Sequence, residues 1–100
     1  GSREGVTVAA GGGKGNGLNQ LDSAMGIYVT QNGMIYVSDT KNHRVLRYGP
    51  NSVAGTVVAG GNGPGLGASQ LNEPLGIWVD ELSGDLYIAD SRNHRIMRYR

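Results

Sequence analysis

Hydrophobic positions along the chain gather into short clusters, each broken by glycine or polar residues. Residues 27–30, 34–38, 44–48 and 56–59 are rich in β-branched and aromatic side chains, as are 77–80, 86–89 and 95–99. No stretch keeps a helical period over a useful length, so the expectation is an all-β chain. Asn32-Gly33 between the first two clusters is a hairpin signal, because both residues tolerate positive φ. Asp39-Thr40-Lys41-Asn42 reads as the next turn, where Asp and Asn side chains bond nearby backbone N–H groups. Gly49-Pro50-Asn51-Ser52 marks the break before the fourth cluster.

The pattern occurs twice. Gly26-Ile27-Tyr28-Val29 returns as Gly76-Ile77-Trp78-Val79, and Asp39-Thr40-Lys41-Asn42-His43-Arg44 as Asp90-Ser91-Arg92-Asn93-His94-Arg95. The extra position lies in a turn, where Gln31-Asn32-Gly33 becomes Glu81-Leu82-Ser83-Gly84. Upstream, Gln20-Leu21 matches Gln70-Leu71, and glycines 11, 13, 15 and 17 match 61, 63, 65 and 67. A period near fifty whose length change falls in a turn is a structural repeat. Each unit reads as four strands. Residues 25–60 form a first full unit, and residues 75–100 supply the first three strands of a second. Val6-Thr7-Val8-Ala9 aligns with the fourth strand at 56–59, so residues 6–10 read as the fourth strand of a preceding unit, and the chain is a permuted pair.

Composition narrows the function classes. One hundred residues with a net charge of +1 make one domain or part of one, and give bulk electrostatics little hold on nucleic acid or membrane. The absence of cysteine removes disulfides, thiolate metal sites and a thiol nucleophile. No apolar run nears the ~20 residues that cross a bilayer. The glycine-rich run 11–17 is not a phosphate loop, since Lys14 is followed by Gly15 and Val8 stands where the first glycine belongs; it reads as a crossover between units. Asn51-Ser52-Val53 fails as a glycosylation sequon, and nothing assigns a compartment. Gly1-Ser2 looks like the scar of a cleaved tag.

The succession Met25-Gly26-Ile27-Tyr28-Val29, then Ile35-Tyr36-Val37-Ser38-Asp39, then Asn42-His43-Arg44-Val45, with its second copy from Leu75 to Ile96, resembles the NHL repeat, named for an Asn-His-Leu triplet. Arg44 and Arg95 stand where the motif has Leu. The resemblance covers nearly the whole chain and implies a β-propeller of four-stranded blades around a channel, typically about six within the usual 4–8. It is specific for fold and poorly specific for activity.

Both faces of these strands are apolar, as in a sheet sandwiched between neighbours. Two blades cannot close a ring, so two faces stay open. Each open face forfeits about 6–15 kcal/mol, comparable with the whole stability of an ordinary domain, about 5–15 kcal/mol. The expectation is therefore a cyclic head-to-tail homo-oligomer in which Val6, Thr7, Val8 and Ala9 of one chain complete the last blade of another. Three chains would give six blades, the favoured number, and four would give eight. Starting and stopping within blades suggests an engineered or excised fragment.

Asp39, Asn42, His43 and Arg44, with Asp90, Asn93, His94 and Arg95, recur at equivalent positions, as a repeated structural contact does. They are therefore read as structural rather than as catalytic or metal-binding residues, and no cofactor is expected. Lys41, Arg47, Trp78, Arg92 and Arg98 form a possible weak binding face. Together these features point to a non-catalytic, self-assembling scaffold or binding module. A face for RNA or peptide is the alternative, and a metal-dependent lyase of the kind one NHL-like family contains ranks last.

Overall fold

The computed structural model describes residues 4–50, 52 and 54–100. The Gly1-Ser2 pair, together with Asn51 and Val53 of the break before the fourth strand, lies outside them. Seven strands form two antiparallel sheets: β1 (Ala24–Val29), β2 (Ile35–Asp39), β3 (Arg44–Tyr48) and β4 (Thr56–Gly60) in one, and β5 (Pro74–Val79), β6 (Leu86–Asp90) and β7 (Arg95–Tyr99) in the other. Both are simple meanders in chain order. No α-helix occurs among the described residues.

The β1–β2 loop departs in one respect from the sequence expectation. Gly33 takes positive φ (88°), whereas Asn32 does not. Thr30 N–H donates to the Met34 carbonyl at 2.9 Å and Gly33 N–H to the Thr30 carbonyl at 3.1 Å. The result is a three-residue loop with glycine in the left-handed place, not a two-residue turn. The extra residue of the second repeat widens the corresponding loop, where Gly84 (φ 81°) donates to the Asp80 carbonyl at 2.7 Å. β1 and β5 also begin earlier than their β-branched residues suggest. Ala24 and Pro74 pair with Asp39 and Asp90 across a register shift, and proline is tolerated there because it opens an edge strand.

Thr40–Asn42 and Ser91–Asn93 are single 3₁₀ turns, each ended by a histidine in left-handed backbone, His43 and His94, both at φ 54°. In a single chain, residues 6–9 join no sheet, and Val6 and Val8 are exposed.

Cross-strand register sorts the side chains by face. In the first sheet Ile27, Val37 and Leu46 form one row and Val29, Ile35 and Tyr48 the next, with Tyr28, Tyr36 and Arg47 on the opposite face. In the second sheet the same positions are held by Ile77, Ile88 and Met97, by Val79, Leu86 and Tyr99, and by Trp78, Tyr87 and Arg98. The main core lies between the sheets: Val45 and Ala59, with Tyr28 and Tyr36, meet Val79, Leu86, Ile88 and the crossover residue Leu71. The first sheet's far face holds a second cluster, in which Ala10 packs with Ile35, Val37, Leu46 and Tyr48. Ile27 (65% exposed) and Val29 (55%) remain open beside it, as do Trp78 (61%) and Ile96 (70%) on the second sheet.

Candidate functional site

Asp39 is fully buried and anchors a knot within its own repeat. Its Oδ2 accepts from Arg44 Nε at 2.7 Å and Asn42 Nδ2 at 2.9 Å, and its Oδ1 from the Asp22 N–H at 2.7 Å. The Arg44 guanidinium then reaches the carbonyls of Asn16 (3.0 Å), Gly17 (2.9 Å) and Gln20 (3.3 Å), while Asn42 reaches Gly15 at 2.8 Å. The second repeat copies the arrangement: Asp90 takes bonds from Arg95, Asn93 and the Asn72 N–H, and Arg95 holds Leu66, Gly67 and Gln70. Burial alone would raise the Asp90 carboxyl, but the Asn72, Asn93 and Arg95 bonds and the guanidinium charge outweigh it and hold it below its ordinary value. Asp, Asn and Arg of the motif thus fasten the glycine-rich crossover to the sheet that follows it.

His43 alone of these four residues of the first repeat bonds across to the other sheet, its Nδ1 accepting the Glu73 N–H at 3.0 Å. Around it Thr40 Oγ1 donates to the Pro74 carbonyl at 2.6 Å, and Ser38 Oγ donates to the Leu75 carbonyl. Glu73 also pairs with Lys41 (3.8 Å) and Arg92 (3.5 Å). The five basic and aromatic residues read as a possible binding face are therefore divided. Lys41 and Arg92 sit at this rim against Glu73. Arg47 and Arg98 lie within the sheets, in rows with Tyr36 and Tyr87.

Trp78 belongs to a different feature. Between the β1–β2 and β5–β6 hairpins lies a cleft of about 770 Å³, whose lining includes Tyr28, Met34, Tyr36, Trp78, Asp80 and Glu81. The Tyr28 and Trp78 rings meet edge to face, centroids 5.1 Å apart at 73°. Glu81 bridges the hairpins: Oε2 accepts from Tyr28 Oη at 2.9 Å and Oε1 from the Gln31 N–H at 2.8 Å. That hydrogen bond, then burial and the Glu81 and Asp80 charges, raises the Tyr28 phenol above its ordinary value. Asp80 Oδ1 accepts from the Leu82 N–H at 3.1 Å in the wider loop. Sequence reasoning missed Glu81 and Tyr28 as partners. The available signal was that Glu81 opens the turn in which the repeats differ in length.

Among the described residues, no three His, Asp or Glu side chains gather as a metal-binding group, and no helix is long and apolar enough to cross a membrane. The NHL repeat family matches the chain twice, at residues 21–48 and 71–99, together more than half its length. Each match begins at the leucine that packs into a core cluster and runs through the third strand of its sheet. A search of curated proteins returns no match.

Proposed function

The chain belongs to the NHL-repeat family, and from that premise we propose that it is a non-catalytic β-propeller scaffold whose two blades close into a ring by head-to-tail association with further copies, three chains making six blades. The observation that carries this reading is the equivalence of the open faces to the buried one. Trp78, Tyr87 and Ile96 occupy on the second sheet the places that Tyr28, Tyr36 and Val45 occupy on the first, where they pack against the second sheet. Ile27 and Val29, both exposed, with Ile35 and Val37, already buried in the Ala10 cluster, occupy on the first sheet the places of Ile77, Val79, Leu86 and Ile88, which receive them. The two open faces are thus the two halves of an interface the chain already makes once. A contact of this kind, repeated with a rotation that closes, generates a ring.

Local geometry at both ends supports the same closure. Ser23 (φ 55°) repeats the left-handed backbone of Glu73 (φ 51°), so a neighbour's Ser23 N–H matches His94 as Glu73 matches His43. Beyond Ala9 the backbone carries positive φ at Ala10 (55°), Gly11 (95°) and Gly13 (89°), the pattern found from the last residue of β4 onward at Gly60 (70°), Gly61 (82°) and Gly63 (76°). Residues 6–9 are therefore followed by the backbone of a fourth strand, and in the ring they add to β7 of a neighbour. The carboxylates of the repeat motif are committed to the Arg44 and Arg95 knots, which supports a structural rather than a catalytic role for them. Pairing of Lys41 and Arg92 with Glu73 speaks against a basic RNA face.

Native mass spectrometry tests the proposal. The chain is 10.5 kDa, and a species of three chain masses is expected. Four would move the reading to eight blades, and a folded monomer at micromolar concentration would overturn it.

A further inference from the structure

Features that break the repeat converge on the hairpin cleft: Trp78 where the first repeat has Tyr28, Glu81 where it has Gln31, and the extra residue of the wider loop. We propose that this cleft is a binding site for an organic cation, an alkylated ammonium group. Its lining comes wholly from one chain, though Trp78 also stands on the face proposed above to meet a neighbour.

Three observations argue for a cation. In an edge-to-face pair the edge-on ring keeps both of its faces uncovered by its partner, and ring faces attract cations within about 6 Å of the centroid, tryptophan most strongly. Tyr28 donates its hydroxyl hydrogen to Glu81, which pushes electron density into the phenol ring and deepens that attraction. The charged residues among those lining the cleft are Asp80 and Glu81, both acidic, so the cleft favours a positive guest and disfavours phosphate or carboxylate. Met34 and Tyr36 supply apolar wall for the methyl groups. A volume of about 770 Å³ exceeds what an ammonium head needs and leaves room for the group that carries it.

The chain's single tryptophan stands in the cleft, so its emission reads the site directly. Choline chloride is titrated at constant ionic strength beside 3,3-dimethylbutan-1-ol, its uncharged isostere. Choline is expected to give a saturable change in emission, with the alcohol about tenfold weaker or silent, and Glu81→Gln to raise the choline midpoint about fivefold. Equal midpoints for choline and the alcohol, no saturable response to choline, or an unchanged midpoint in Glu81→Gln would overturn the site. Should circular dichroism show that Glu81→Gln has lost its fold, Trp78→Leu removes the ring instead, compared with the parent at the same oligomeric state by sedimentation. Followed by the line width of the choline methyl protons, it is expected to lose affinity about fivefold, and unchanged affinity would equally refute the proposal.

Discussion

Glu73 donates its backbone N–H to Nδ1 of His43 across the two sheets, and both residues hold left-handed backbone, at φ 51° and 54°. The left-handed turn at the acceptor lies just before β3, and that at the donor just before β5. His43→Gly keeps a residue that tolerates this backbone while removing the acceptor. It should cost about 1 kcal/mol in urea unfolding, and His43→Val, β-branched and strained at positive φ, about 2–3 kcal/mol.

A methyl group distinguishes the sheet contact made within the chain from the one proposed between chains. A Cβ on Gly26 would overlap the Leu75 carbonyl oxygen and come 2.7 Å from Ser38 Oγ, whereas one on Gly76 meets nothing within 4 Å. Gly26→Ala should therefore destabilise the fold by about 3 kcal/mol. Gly76→Ala should leave the single chain's far-ultraviolet spectrum unchanged yet shift sedimentation from trimer towards monomer. A Gly76→Ala trimer as tight as the parent would contradict the equivalence of the two interfaces.

Asp90 sets an acid limit. Its carboxyl is held below the ordinary value, so its stabilising share is complete above the unfolded carboxylate pKa of about 4 and is lost as pH falls through the lowered folded value. The urea midpoint should drop below about pH 4 more steeply in the parent than in Asp90→Asn. At neutral pH that variant should itself lose about 2–4 kcal/mol, because Arg95 is left without its charge partner.

Tyr28 should titrate late. Its hydroxyl is raised first by the bond to Glu81, so Glu81→Gln is expected to bring the Tyr28 resonance back towards ordinary phenol titration, followed by ¹³C NMR of labelled tyrosine. A curve unmoved by the substitution would break the link between the two hairpins.

The strands were legible because β-branched and aromatic clusters mark them, and the pairing of repeats was legible from spacing. Strand starts at Ala24 and Pro74 were not, since alanine, glycine and proline carry little β signal and only the ladder to Asp39 and Asp90 extends them. Left-handed histidines were invisible for the same reason: nothing in an Asn-His-Arg triplet states its φ. The Glu81 contacts with Tyr28 and Gln31 span about fifty residues and depend on how one sheet stacks on the next, which no local pattern encodes. Lys41 and Arg47 looked like one basic group because they are close in sequence, yet Glu73 claims the first and the sheet holds the second.

The Arg44 and Arg95 knots have a consequence for ancestry. Each arginine fastens the loop ahead of its own sheet, so every tandem copy would arrive with its lashings already inside it. A gene that duplicated this stretch would need to invent no new internal contact, only a flank that fits the next copy's flank. Ring size would then be a matter of how many copies are strung together, and the cassette itself could stay unchanged while its number drifts.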